Sequence, residues 1–134
     1  MARFVYRMQS VLNIKQQTEN QTKMEFALAQ AEYNNQLDIL EEYRTRKERY
    51  LQEAEELRNE DSLKLQEILD NQFATAQMDA MIKQQMAVVK QYEARLERIR
   101  VKLTRNIQER KMQETDEKFS FEEIRSQLVN MFND

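Results

Sequence analysis

Between Phe26 and Leu57 the mostly apolar positions that recur every three or four residues fall into two series, each stepping by seven. One runs Phe26, Tyr33, Leu40, Lys47, Ala54; the other runs Ala29, Gln36, Tyr43, Tyr50, Leu57. Together they form a heptad seam with Gln36 and Lys47 as polar interruptions. A seven-residue apolar repeat keeps one stripe of an under-wound helix turned toward a partner. The stripe is narrow and the remaining faces are charged, so this helix needs a partner to be stable.

The second half of the chain carries its own seam: Met78, Ile82, Val89, Tyr92, Leu96, Ile99 and Leu103, resuming at Ile124, Leu128 and Met131. Charge separates in the same way. Glu25, Glu32, Asp38, Glu41 and Glu42 fall in a stretch without Lys or Arg, whereas Arg95, Arg98, Arg100, Lys102, Arg105, Arg110 and Lys111 outnumber Glu97 and Glu109. Antiparallel pairing places these segments opposite one another. The numbers of facing residues then add to about 136, which sets Leu57 against Met78, Tyr43 against Tyr92, Leu40 against Leu96 and Leu12 against Ile124. A slip of seven fits nearly as well, and pairing between two chains satisfies the same seam as a hairpin within one.

The expected fold is all-α: a long antiparallel two-helix coiled-coil hairpin with its reversal near residue 68. It forms one elongated domain over 1–134, with helix 1 at about 4–60, a turn region at about 61–75 and helix 2 at about 75–132. Turn chemistry sits on both sides, in Asn59-Glu60-Asp61-Ser62 and in Asp70-Asn71-Gln72, and Thr75 is a candidate cap for the second helix.

Composition sharpens this picture by exclusion. The 134 residues include no Gly, Pro, Cys, Trp or His. Helix breakers are absent. So are the imidazole and thiol needed for most acid–base, nucleophilic or N/S metal chemistry. No glycine loop is present to cradle phosphate. The chain therefore reads as a non-enzyme with no cofactor, no metal and no catalytic residue. A net charge of −3 argues against nucleic acid as the partner. No apolar run is long enough to span a membrane, and the opening residues are too polar for a signal peptide. The lack of cysteine fits a reducing, cytoplasmic setting.

Three stretches depart from the simple seam. Residues 16–23 are polar on all sides, with Glu19 and Lys23 spaced to pair, and are expected to pack loosely. Met78, Met81 and Met86 are either core filler or an adaptable binding patch. At the two ends, Phe4, Tyr6, Val11 and Ile14 lie off the stripe set by Val5, Met8 and Leu12, and Phe119, Phe121, Val129 and Phe132 join Ile124, Leu128 and Met131. A hairpin brings these ends together. Their extra apolar area reads either as additional core contacts or as a docking surface for another protein.

The opening Phe4-Val5-Tyr6-Arg7-Met8-Gln9-Ser10-Val11-Leu12-Asn13-Ile14-Lys15 resembles that of the flagellar export protein FliJ family. So do the closing stretches Glu109-Arg110-Lys111-Met112 and Asp116-Glu117-Lys118-Phe119. The resemblance implies a hairpin similar to the central stalk of rotary ATPases, in the flagellar type III export apparatus, cytoplasmic and peripheral to the inner face of the cell membrane. It implies three partners: the hexameric export ATPase, the membrane protein of the export gate, and export chaperones. The ATPase contact implied for the paired termini falls here on Phe4, Tyr6, Arg7, Val11, Leu12, Phe121, Leu128 and Phe132. The implied gate contact lies mid-hairpin, where Gln36, Leu40, Tyr43 and Tyr92 match by residue type and spacing. The residues without the resemblance also allow a generic coiled-coil scaffold or chaperone-like adaptor with no ATPase partner.

Overall fold

A computed structural model describes residues 2–60, 62 and 64–133. They form two helices, α1 (Ala2–Asn59) and α2 (Leu65–Asn133), with no strand among the described residues. The helices pack against each other as an all-α hairpin. Neither contains Gly or Pro, so nothing inside them removes a backbone donor or loosens the chain.

The reversal lies between Asn59 and Leu65, earlier than the expected residue 68. Of the first candidate turn, Asn59 closes α1 and Glu60 and Ser62 follow it, while Asp61 lies outside the described residues. The Lys64 ammonium lies 3.8 Å from Glu60 and 4.0 Å from Glu67, tying the loop to the start of α2. The second candidate turn, Asp70-Asn71-Gln72, is helical. Asn71 is buried, and its amide donates to the Tyr50 carbonyl at 2.8 Å. Thr75 does not cap α2; its hydroxyl donates back to the Asn71 carbonyl within the helix, at 2.9 Å.

Contacts divide the chain into two units. The unit Ala29–Leu96 buries Ala29, Leu40 and Leu57 of α1 and Met78 and Val89 of α2. Tyr33, Gln36, Tyr43, Lys47, Tyr50 and Ala54 fill the intervening seam positions and are half-buried. Gln85, also buried, donates to the Gln36 carbonyl at 2.9 Å and to its side-chain oxygen at 2.8 Å. Lys47 pairs with Asp79 at 2.6 Å and Arg95 with Glu32 at 3.2 Å. The methionines divide: Met78 is buried, Met81 half-buried and Met86 exposed.

The unit of Met1–Leu28 with Glu97–Asp134 has a more polar seam. Leu12, Glu19 and Thr22 are buried, and Asn106 and Arg110 of α2 meet Thr22 and Glu19. Asn106 donates to the Thr22 hydroxyl at 2.6 Å, and that hydroxyl donates to the Thr18 carbonyl at 2.9 Å. The Arg110 guanidinium bonds Glu19 and also Glu114, the latter at 2.8 Å. Lys23 adds a second cation to Glu19 at 3.2 Å. Residues 16–23 are therefore not the loosely packed stretch their polarity suggested. Two of them are among the most buried in the unit, because α2 supplies a partner for each. On the flank Lys102 lies 3.3 Å from Glu25, as the opposed charge blocks require.

The register differs from the expected one. The paired numbers add to 121 for Asn71 with Tyr50 and for Gln85 with Gln36, and to 129 for Arg110 with Glu19. At 136, Glu19 would face Glu117 and Arg110 would face Phe26. Apolar heptads tolerate such a shift, but the polar seam residues do not, since an unpaired charge in the seam costs several kcal/mol by order of magnitude.

Burying one leucine contributes about 1.5–3 kcal/mol, against about 0–1 for an exposed ion pair, so the seam outweighs the flanking charges. Leu40→Ala should lower unfolding stability by about 2–5 kcal/mol, and Leu37→Ala, three residues away on an exposed face, by less than about 1, in urea titrations followed by helicity.

A second expectation concerns acid. Burial pushes the Glu19 carboxyl up, but the Arg110 and Lys23 bonds and charges more than offset this and hold it below the ordinary value of 4.5. A carboxyl lowered by folding stabilises the fold fully above that ordinary value. The contribution disappears as pH falls through the lower folded-state value. Glu19→Gln should therefore be less stable than the parent at pH 6, with the gap narrowing toward pH 3, in urea titrations at both pH values.

Candidate functional site

The described surface has two concentrations of exposed apolar side chains: Leu65, Leu69 and Phe73 at the start of α2, and a larger one of aromatic and aliphatic residues that the seam does not absorb. The larger one lies in the unit of Met1–Leu28 with Glu97–Asp134. Its origin is a change of phase in α2. The half-buried seam positions Leu103, Asn106, Arg110, Gln113 and Glu117 alternate steps of three and four. From Glu117 the apolar residues continue at Phe121, Ile124, Leu128 and Met131, so two steps of four follow one another. Such a stutter locally unwinds the supercoil and turns the apolar stripe away from the seam.

A groove of about 540 Å³ opens at this point. Phe4, Val5 and Met8 line it from α1, and Phe121 and Ile124 from α2, with Gln9, Glu114, Glu117, Lys118, Glu122 and Arg125 supplying polar groups. A smaller hollow of about 340 Å³, lined by Val5, Phe121, Ile124, Arg125 and Leu128, adjoins it. One oxygen of Glu117, Oε1, is buried and has no hydrogen-bond partner among the described residues.

Of the eight terminal residues expected to bind, seven are exposed: Phe4, Tyr6, Arg7, Val11, Phe121, Leu128 and Phe132. Tyr6 and Phe132 stand out furthest, at 75 % and 88 %. Phe4 and Phe121 share the groove, and Leu128 lines the adjoining hollow. Leu12 is different: at 9 % exposure it belongs to the seam and presents nothing to a partner. Val5, Met8, Ile124 and Glu117 line the groove without having been singled out as binding residues. The double four-step of Gln113, Glu117 and Phe121 is the signal in the sequence that finds them.

The mid-hairpin residues lie in the unit Ala29–Leu96. Leu40 is buried, at 6 % exposure, so it cannot be a surface contact while the helices are paired. Gln36 is engaged by Gln85, and Gln36, Tyr43 and Tyr92 are half-buried. Among the described residues no group of acidic side chains is arranged to hold a metal, and no helix is long and apolar enough to cross a membrane.

Residues 4–127 match the family described as Flagellar FliJ protein. The chain belongs to the FliJ family. No similar curated protein and no similar solved structure was found. As a FliJ family member the protein is a non-catalytic component of the flagellar export apparatus. The matched range holds both walls of the groove, from Phe4 to Arg125, and leaves Leu128 and Phe132 outside it.

Exposed residues at this end carry little of the fold. Phe4→Ser and Tyr6→Ser should change stability by no more than about 0.5 kcal/mol, whereas Leu12→Ala should cost about 2 kcal/mol or more, read from thermal melts of the three variants.

Proposed function

We propose that the apolar end of this FliJ family protein docks on the hexameric flagellar export ATPase, and that the hairpin links that ATPase to the membrane protein of the export gate and to substrate chaperones. The protein acts in the cytoplasm, peripheral to the inner face of the cell membrane at the flagellar base. The observation that carries the reading is the exposure of Phe4, Tyr6, Phe121 and Phe132 in one unit, outside the Leu12, Glu19 and Thr22 that its seam buries. Exposed aromatic clusters of this kind mark protein interfaces. The half-buried edges of Gln36, Tyr43 and Tyr92 support a gate contact mid-hairpin, with Leu40 holding the helices together beneath it. A scaffold with no ATPase partner would use Met78, Met81 and Met86 as its binding patch. Its support weakens because Met78 is buried and only Met86 of the three is exposed.

Mixing the purified protein with the flagellar export ATPase tests this reading. Hydrolysis should rise and electron micrographs should show rings with filled centres. The double variant Tyr6→Asp/Phe132→Asp should keep full helicity and bind at least tenfold more weakly. Unchanged binding by that variant would move the docking site away from this end, and no binding by the parent chain would remove the ATPase from the account.

A further inference from the structure

The groove beside Glu117 has a chemical peculiarity that ATPase docking in general does not require. Phe4, Val5, Met8, Phe121 and Ile124 form its apolar part and Lys118 and Arg125 are among its charged lining, yet Glu117, which also lines it, has one carboxylate oxygen closed to solvent with no donor from the described residues. A buried acceptor left unpaired is destabilising, and more so when it is charged. The neighbouring Glu114 has its cation in Arg110; Glu117 has no ion pair among the described residues.

We propose that this groove receives an amphipathic helix of the partner that presents a Lys or Arg to Glu117 from within an otherwise apolar face. The proposal rests on the docking reading above and names the chemistry of the docked segment. Three observations lead to it. The groove lies between two helices, follows α2 from Glu114 to Arg125, three turns, and continues the α1–α2 interface. That length suits a third helix reading i, i+3, i+4 and i+7 anchors. The phase change at Phe121 gives α2 an apolar stripe that α1 leaves exposed, so a third helix completes packing the hairpin begins. The carboxylate then sets specificity: a cation among apolar anchors satisfies Glu117, while a purely apolar helix leaves it buried and unpaired.

Binding of the full chain to the purified flagellar export ATPase is measured at low and high salt, for the parent, Glu117→Gln and Phe121→Asp, with helicity as the folding control. The expected result is that Phe121→Asp loses binding and that Glu117→Gln, although fully helical, binds about tenfold or more weakly with a flatter salt dependence. If Phe121→Asp loses binding and Glu117→Gln binds as the parent does at both salts, the docking reading stands and the basic anchor is overturned. If the parent does not bind at all, both fall. If the parent instead self-associates and Glu117→Gln abolishes the self-association, the occupant is a second copy of this chain, and the partner-helix assignment is overturned.

Discussion

Each helix of this protein has one narrow stripe to bury, and the stripe of the other is what covers it. That mutual burial is the constraint on which everything else depends. Without Gly or Pro to turn the chain, and with charges on the remaining faces, the helices have no second layer to pack against. Leu40, Leu57, Met78 and Val89 in one unit and Leu12 in the other exclude water along the stripe. Local helix propensity alone would leave such a sequence marginal, since most helical stability in proteins comes from packing an amphipathic face.

Apolar burial does not choose among registers, because a seven-residue repeat looks the same to itself after every heptad. The polar seam residues make the choice. Slipped by seven, Arg110 faces Leu12 or Phe26 instead of Glu19, and Gln85 faces Ala29 or Tyr43 instead of Gln36. A buried polar pair stabilises less than a well-packed apolar one, but it penalises every mispaired alternative. The Glu19–Arg110 pair and the Gln36–Gln85 pair therefore act as register marks, one in each unit.

These marks explain which features were legible in the sequence. The seam through Phe26 to Leu57, the antiparallel arrangement and the opposition of an acidic to a basic flank follow from periodicity and charge blocks, and the structure has them, the flanks meeting in the pairs Glu25–Lys102 and Glu32–Arg95. The register and the reversal do not follow. Asn71 sits in an Asp-Asn-Gln run that looks like a turn, and Glu19 and Thr22 sit in a stretch that looks fully solvated. Each becomes a seam residue only once its partner on the other helix is known, and the partner is known only once the register is. The apolar end was legible as a surplus of Phe, Tyr and Val off the stripe. The burial of Leu12 and Leu40 separates the residues that hold the hairpin from those available to a partner, and residue type alone could not make that separation.

The chain contains no cysteine, which makes the register directly measurable. Glu32→Cys/Arg95→Cys, treated in dilute solution with a short bifunctional maleimide and digested, should yield one cross-linked peptide pair from a species of monomer size, since these residues meet across the helices and leave both register marks in place. Glu32→Cys/Thr104→Cys, matched instead to a register of about 136, should stay open under the same treatment. Closure of the second pair and not the first, or cross-linking of the first only between two chains, would contradict the intramolecular register on which this account of the fold and its exposed end is built.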